Sequence, residues 1–176
     1  MVLWSDHGYH LGEHLGVWQK RCLFEESARA PLIIFAPTRA GNGNSCQRIV
    51  EFVDIYPTLA ELTGLKPPPD LAGRSLRPLL DEPKREWNGT AFTQILRPGS
   101  DQPFVGRSIR TERWRLNHWG GPGGGLELYD HSIDPREFNN LANDPRFRHV
   151  IGKLRATLDA RLQPQVPPTP FNPAKL

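Results

Sequence analysis

The chain has 176 residues, the size of one domain or of a piece of a larger one. Its 22 basic and 19 acidic side chains leave a formal charge of +3, which excludes a polyelectrolyte tail and a dedicated nucleic-acid binder with clustered Lys and Arg. No apolar run approaches the roughly 18–20 residues of a membrane span, and collagen, coiled coil and disulfide-rich mini-protein are excluded as well.

Taken in chain order, the elements are short, because 18 Pro and 16 Gly punctuate the sequence. Met1-Val2-Leu3-Trp4 runs straight into Ser5-Asp6-His7-Gly8, with no room for a signal peptide. That leaves a cytoplasmic protein or a piece of a longer one. Residues 2–4 read as the end of a buried strand. Residues 22–28 read as a short helix stopped before Pro31. Pro31-Leu32-Ile33-Ile34-Phe35-Ala36-Pro37 suits a strand buried on both faces, as in a parallel sheet. Residues 54–64 read as a helix with Asp54 as its cap, Pro57 in the first turn and Gly64 at the end, and with Ile55, Leu59 and Leu62 along one face. Residues 76–80 read as one helical turn.

The texture changes after residue 88. Residues 90–96, 105–111, 113–119 and 126–130 read as antiparallel strands, with Gly120–Gly125 as a hairpin tip. A last helix starts near Asp144-Pro145, and Phe147, Val150, Ile151, Leu154, Leu158 and Leu162 make its core-facing stripe. The division is 1–88 as part of an α/β core, 89–163 as an antiparallel sheet with a terminal helix, and 164–176 as a Pro-rich tail. An α/β half with little more than one strand cannot cover its own core, so further chain is expected upstream.

The chemistry concentrates near the start. Asp6-His7 follows an apolar strand, and ligands of open α/β sheets bind beyond strand carboxyl ends. A carboxylate with an adjacent imidazole can hold a divalent cation. Lys20 can pair with a tetrahedral oxyanion as a point charge. His10 and His14 have the i, i+4 spacing of helical zinc ligands, but Gly8, Gly12 and Gly16 disfavour a helix there, which argues against zinc. Glu25, Glu26 and Arg29 read as a solvated helix face. Cys22 and Cys46 read as two free thiols or a disulfide. Trp114 and Trp119 read as half-buried sheet residues.

Read together, Ser5-Asp6-His7-Gly8-Tyr9-His10-Leu11-Gly12-Glu13-His14, Trp18-Gln19-Lys20 and Leu23-Phe24-Glu25-Glu26-Ser27-Ala28-Arg29-Ala30-Pro31 resemble the sulfatase family, in its iduronate-2-sulfatase-like branch. The match continues through Val53-Asp54-Ile55-Tyr56-Pro57-Thr58-Leu59, Leu71-Ala72-Gly73-Arg74-Ser75-Leu76, Ser108-Ile109-Arg110-Thr111, Glu127-Leu128-Tyr129-Asp130 and Asp134-Pro135-Arg136-Glu137. The resemblance implies an alkaline-phosphatase-like α/β fold, here its C-terminal part, followed by a small antiparallel sheet with a terminal helix. It implies hydrolysis of sulfate esters, with a sulfated small molecule or glycan as partner and the oligomeric state left open. In the family Asp6 and His7 would bind calcium and Lys20 would contact the sulfate. Relatives are commonly exported, so the parent enzyme would be periplasmic, secreted or lysosome-like.

One departure is large. The family's nucleophile is a formylglycine made within Cys/Ser-x-Pro-x-Arg, and neither Cys22 nor Cys46 lies in such a motif. The paired aspartates that complete the calcium site are also absent. The chain therefore resembles the C-terminal third of a sulfatase with no catalytic nucleophile of its own, and it is expected to be inactive alone. A phosphonate or phosphate monoester hydrolase of the same fold, and a non-catalytic remnant, are the alternatives.

Overall fold

The computed structural model describes residues 1–99, 102–120 and 124–162. The tail 164–176 and the middle of the glycine-rich hairpin tip lie outside the described residues. The elements are β1 (Val2–Trp4), a single irregular turn α1 (Glu13–Gly16), α2 (Glu25–Ala28), β2 (Leu32–Ile34), α3 (Ile55–Leu62), α4 (Arg77–Asp81), β3 (Ala91–Arg97), β4 (Phe104–Arg110), β5 (Trp114–Trp119), β6 (Leu126–Asp130) and α5 (Arg148–Leu162).

Strands β3 to β6 form an antiparallel meander in sequence order, within a residue or so of the alternation in the sequence. Its register places Ile109 opposite Leu116 and Leu116 opposite Leu128. These three point to one face, where Leu154 and Leu158 of α5 complete the core. Burial of each contributes about 1.5–3 kcal/mol. Phe147, Val150 and Ile151 extend the contact, as the helical stripe predicts. Asp144 caps the single 3-10 turn that leads into α5, accepting from the Arg146 amide at 2.9 Å. Trp114 packs on Phe147 and Trp119 on Phe104, both half-buried.

The opposite face of the same sheet carries Ser108, Arg110, Arg115, Asn117 and Tyr129. It is buried too, but against polar partners. Glu137 and Glu25 both accept from the Arg115 guanidinium. Glu137 also accepts from the Glu25 amide at 2.8 Å. Glu25 is therefore no member of a solvated face. It is the anchor that ties α2 to the sheet across 90 residues of sequence.

Three further expectations are corrected. The ribbon β1–β2 is antiparallel, with Val2 opposite Ile34 and Trp4 opposite Leu32. It is not buried on both faces, since Leu3, Trp4, Ile33 and Phe35 are each half-exposed or more. An apolar run bounded by prolines signals a strand but not the direction of its partner or what covers it. The helix predicted at 22–28 is confined to Glu25–Ala28. In α3 the buried residues are Pro57, Thr58 and Ala60, while Leu59 is exposed and Ile55 and Leu62 are partly buried. The loop around residues 74–76 packs against that helix through hydrogen bonds. The Arg74 amide donates to Asp54 and the Leu76 amide to Thr58, each at 2.8 Å. Asp54 does not cap α3. Its carboxylate instead accepts from the Glu51 amide, three positions after Glu51 in a capping box that Glu51 opens. Gly64 ends the helix at φ 72°, where a side chain would be strained.

Candidate functional site

The site is built where the chain leaves β1. Gly8 passes so close to α2 that a Cβ there would strike the Glu26 carbonyl, which makes glycine obligatory. Its amide donates to the Ser27 carbonyl at 2.9 Å. The segment then runs out and back, with His10 N–H donating to the Gln19 carbonyl and Gly12 N–H to the Val17 carbonyl. Gly12, His14, Leu15 and Gly16 all have positive φ, so the bend is left-handed and not a helix. The Ser27 hydroxyl holds the returning strand by donating to the Lys20 carbonyl at 2.8 Å.

This path brings the three residues singled out in the sequence together. Lys20 Nζ lies 2.6 Å from His7 Nε2, and Asp6 Oδ2 lies 3.4 Å from the same nitrogen. His7 Nδ1 sits 2.6 Å from the Gly8 carbonyl, an acceptor only. The imidazole therefore donates from Nδ1 and keeps its lone pair on Nε2, facing Lys20. The Asp6 side chain is 79% exposed.

The arrangement offers an anionic oxygen, a neutral imidazole nitrogen and an ammonium at one solvent-facing point. Adjacent ligands of a calcium ion stand about 3.4 Å apart for bonds of about 2.4 Å. The Asp6–His7 pair matches that spacing, so a carboxylate oxygen and an imidazole nitrogen could be two of the ligands of such an ion. The Nε2 lone pair can accept from Lys20 or bind a cation, but not both. Cation binding would free the ammonium for another anion.

Neither cysteine adds a nucleophile. Cys22 is buried, and burial pushes its thiol pKa up. Cys46 is exposed and donates to the Pro83 carbonyl at 3.3 Å. Two features escaped the sequence reading. One is the anchoring role of Glu25, whose partners Arg115 and Glu137 are remote in sequence and carry no local signal. The other is that His10, His14 and Glu26 converge on the inner side of the loop, within 4.8 Å of one another. The i, i+4 spacing pointed to that pair, but a left-handed turn, and not a helix, brings it together.

Comparison with known proteins gives a consistent picture. A family model described as N-sulphoglucosamine sulphohydrolase, C-terminal, matches residues 12–164. The chain is 34% identical over 163 residues to an N-acetylglucosamine-6-O-sulfatase of Bacteroides thetaiotaomicron, covering 90% of the chain and 29% of that relative. It superposes on the protein BT4656, solved in complex with its substrate D-glucosamine-2-N,6-O-disulfate, with a TM-score of 0.79 and 31% identity over 90% of the chain and 33% of that structure. A phosphonate monoester hydrolase of Agrobacterium radiobacter gives a TM-score of 0.75 at 28% identity over 91% of the chain and 34% of that structure. The chain spans about three tenths of the length of the curated relatives it matches.

Proposed function

The chain belongs to the sulfatase family as its C-terminal region, and from that premise we propose that it forms one wall of a site that hydrolyses sulfate esters of sugars. Its fold is the C-terminal part of the alkaline-phosphatase-like sulfatase fold. The convergence of Asp6, His7 and Lys20 at one exposed point supports this reading most directly.

In this reading Lys20 binds a sulfuryl oxygen as a point charge. Asp6 and His7 help hold calcium, which when bound withdraws charge from the sulfate. The Gly8 carbonyl engages Nδ1, which leaves Nε2 as the nitrogen that would hold a cation. The Gly8–Ser27 and Ser27–Lys20 hydrogen bonds keep the lysine and the histidine in register on α2. The nucleophile, a formylglycine, comes from outside these residues. The chain alone is therefore expected to turn nothing over. Sulfated sugars are the substrate class that the relatives support, glucosamine sulfates and a 2-O-sulfated hexuronate among them.

The test is sulfate release from glucosamine 6-sulfate and from an aryl sulfate, by a protein that presents these residues together with a formylglycine motif. Calcium-dependent turnover, lost in Lys20→Ala, is expected. Turnover by the chain alone, above a His7→Ala control, would overturn the account. The likeness to a phosphonate monoester hydrolase keeps a second reading in play, since a lysine point charge serves either anion. Faster hydrolysis of a phosphonate ester than of either sulfate would favour it.

A further inference from the structure

On the inner side of the loop that carries His7 and Lys20 lies a second group of donors that the sulfate-ester reading leaves unused. His10 is fully buried, and among the described residues neither ring nitrogen has a hydrogen-bond partner. His14 Nε2 and Glu26 Oε2 are also without partners, although they lie only 3.3 Å apart. Four polar atoms gathered in one buried place and left unsatisfied are uncommon, because each loses its hydration. The His14 ring is held in place by its aromatic neighbours. Phe24 stacks flat on the His14 ring at 3.8 Å with an interplanar angle of 5°, and Phe138 lies 5.0 Å away, so the imidazole plane is fixed.

The donor set has a specific chemistry. Two imidazoles and one carboxylate, all within 4.8 Å of one another, are ligands that suit a borderline divalent ion and not an oxygen-seeking one. Tetrahedral zinc with bonds near 2.05 Å separates its ligands by about 3.3 Å, the spacing seen between His14 and Glu26. The Glu26 side chain is 22% exposed, which leaves an entry path and room for a water as fourth ligand.

We propose that His10, His14 and Glu26 form a structural zinc site that pins the Asp6–Lys20 loop to α2. The left-handed turn at His14 and Leu15 then has a reason: it swings His14 back over Glu26 as no helical turn through Gly12 and Gly16 would. The site is distinct from Asp6 and His7, and it stands or falls separately from the sulfatase reading.

The experiment titrates the chelator-stripped 176-residue chain with zinc, counts bound metal per chain, and follows thermal unfolding. Cobalt(II) serves as a spectroscopic probe. One zinc per chain, a raised Tm, and a tetrahedral cobalt spectrum without a thiolate charge-transfer band are expected. Glu26→Gln, on a partly exposed side chain, should fold with an unaltered circular dichroism spectrum. It should weaken zinc by more than the roughly 10–100-fold that loss of an outer-shell hydrogen bond costs. His14→Gln should do the same, and Asp6→Asn should bind zinc as the wild type does. Failure of the folded wild type to bind one zinc would overturn the proposal. So would equal binding by Glu26→Gln, or loss of binding in Asp6→Asn.

Discussion

The four-stranded sheet with α5 and the ribbon-and-loop region of residues 1–36 are built from similar residues and do opposite things with them. In the sheet, Ile109, Leu116 and Leu128 have no exposed surface, and the helix closes over them. In the ribbon, Leu3, Trp4, Ile33 and Phe35 stand half in solvent. The sheet buries its charges in pairs, while the loop presents Asp6, His7 and Lys20 to the outside. Stability thus resides in one region and the site in the other. A polar joint, Glu25 with Arg110, Arg115 and Glu137, connects them.

That contrast can be broken most sharply at the joint. Arg115→Met leaves Glu137 buried without its guanidinium and should cost about 3–5 kcal/mol in urea unfolding. A cost near zero would mean that the joint is ornamental. Leu116→Ala removes a fully buried side chain between strands and helix, and should cost about 2–5 kcal/mol by the same measurement.

The pH dependence sharpens the comparison further. Hydrogen bonds from Arg113 first, and then from Ser132, hold Asp130 down to about 2. Glu137 is also lowered: burial pushes it up, but His131 and Arg115 outweigh that. For a depressed carboxylate, the stabilisation is present above its unfolded pKa and is lost as pH falls through the folded one. Unfolding free energy should therefore drop from about pH 4 toward pH 2. Asp130→Asn should flatten part of that drop and cost about 1–2 kcal/mol at neutral pH. The smallest effect is expected in the ribbon. Ile33→Thr, on a side chain 53% exposed, should shift stability by no more than about 0.5 kcal/mol.

The same contrast explains what the sequence made legible. Every strand of the sheet and the stripe of α5 could be read, because alternation and helical spacing are local signals of burial. A shared site for Asp6, His7 and Lys20 was implied by the resemblance to the sulfatase family, and the loop brings the three side chains together. The direction of the β1–β2 pair could not be read, since an apolar strand bounded by prolines serves either orientation. The packing of α3 through Asp54 and Thr58 could not be read, because hydrophobic patterning does not register hydrogen bonds. The Glu25 anchor depends on contacts 90 residues away. The meeting of His10 with His14 depends on a left-handed turn whose only trace is the spacing of glycines.

The most direct test of the division between site and scaffold is Lys20→Ala, in a protein that presents these residues with a formylglycine motif. Sulfate release from glucosamine 6-sulfate and Tm would be measured on the same sample. The account predicts a fall in kcat of about 10²–10³, the scale of one lost charge-stabilising donor, with Tm unmoved. Unchanged turnover, or a loss of activity that only follows a loss of Tm, would contradict it.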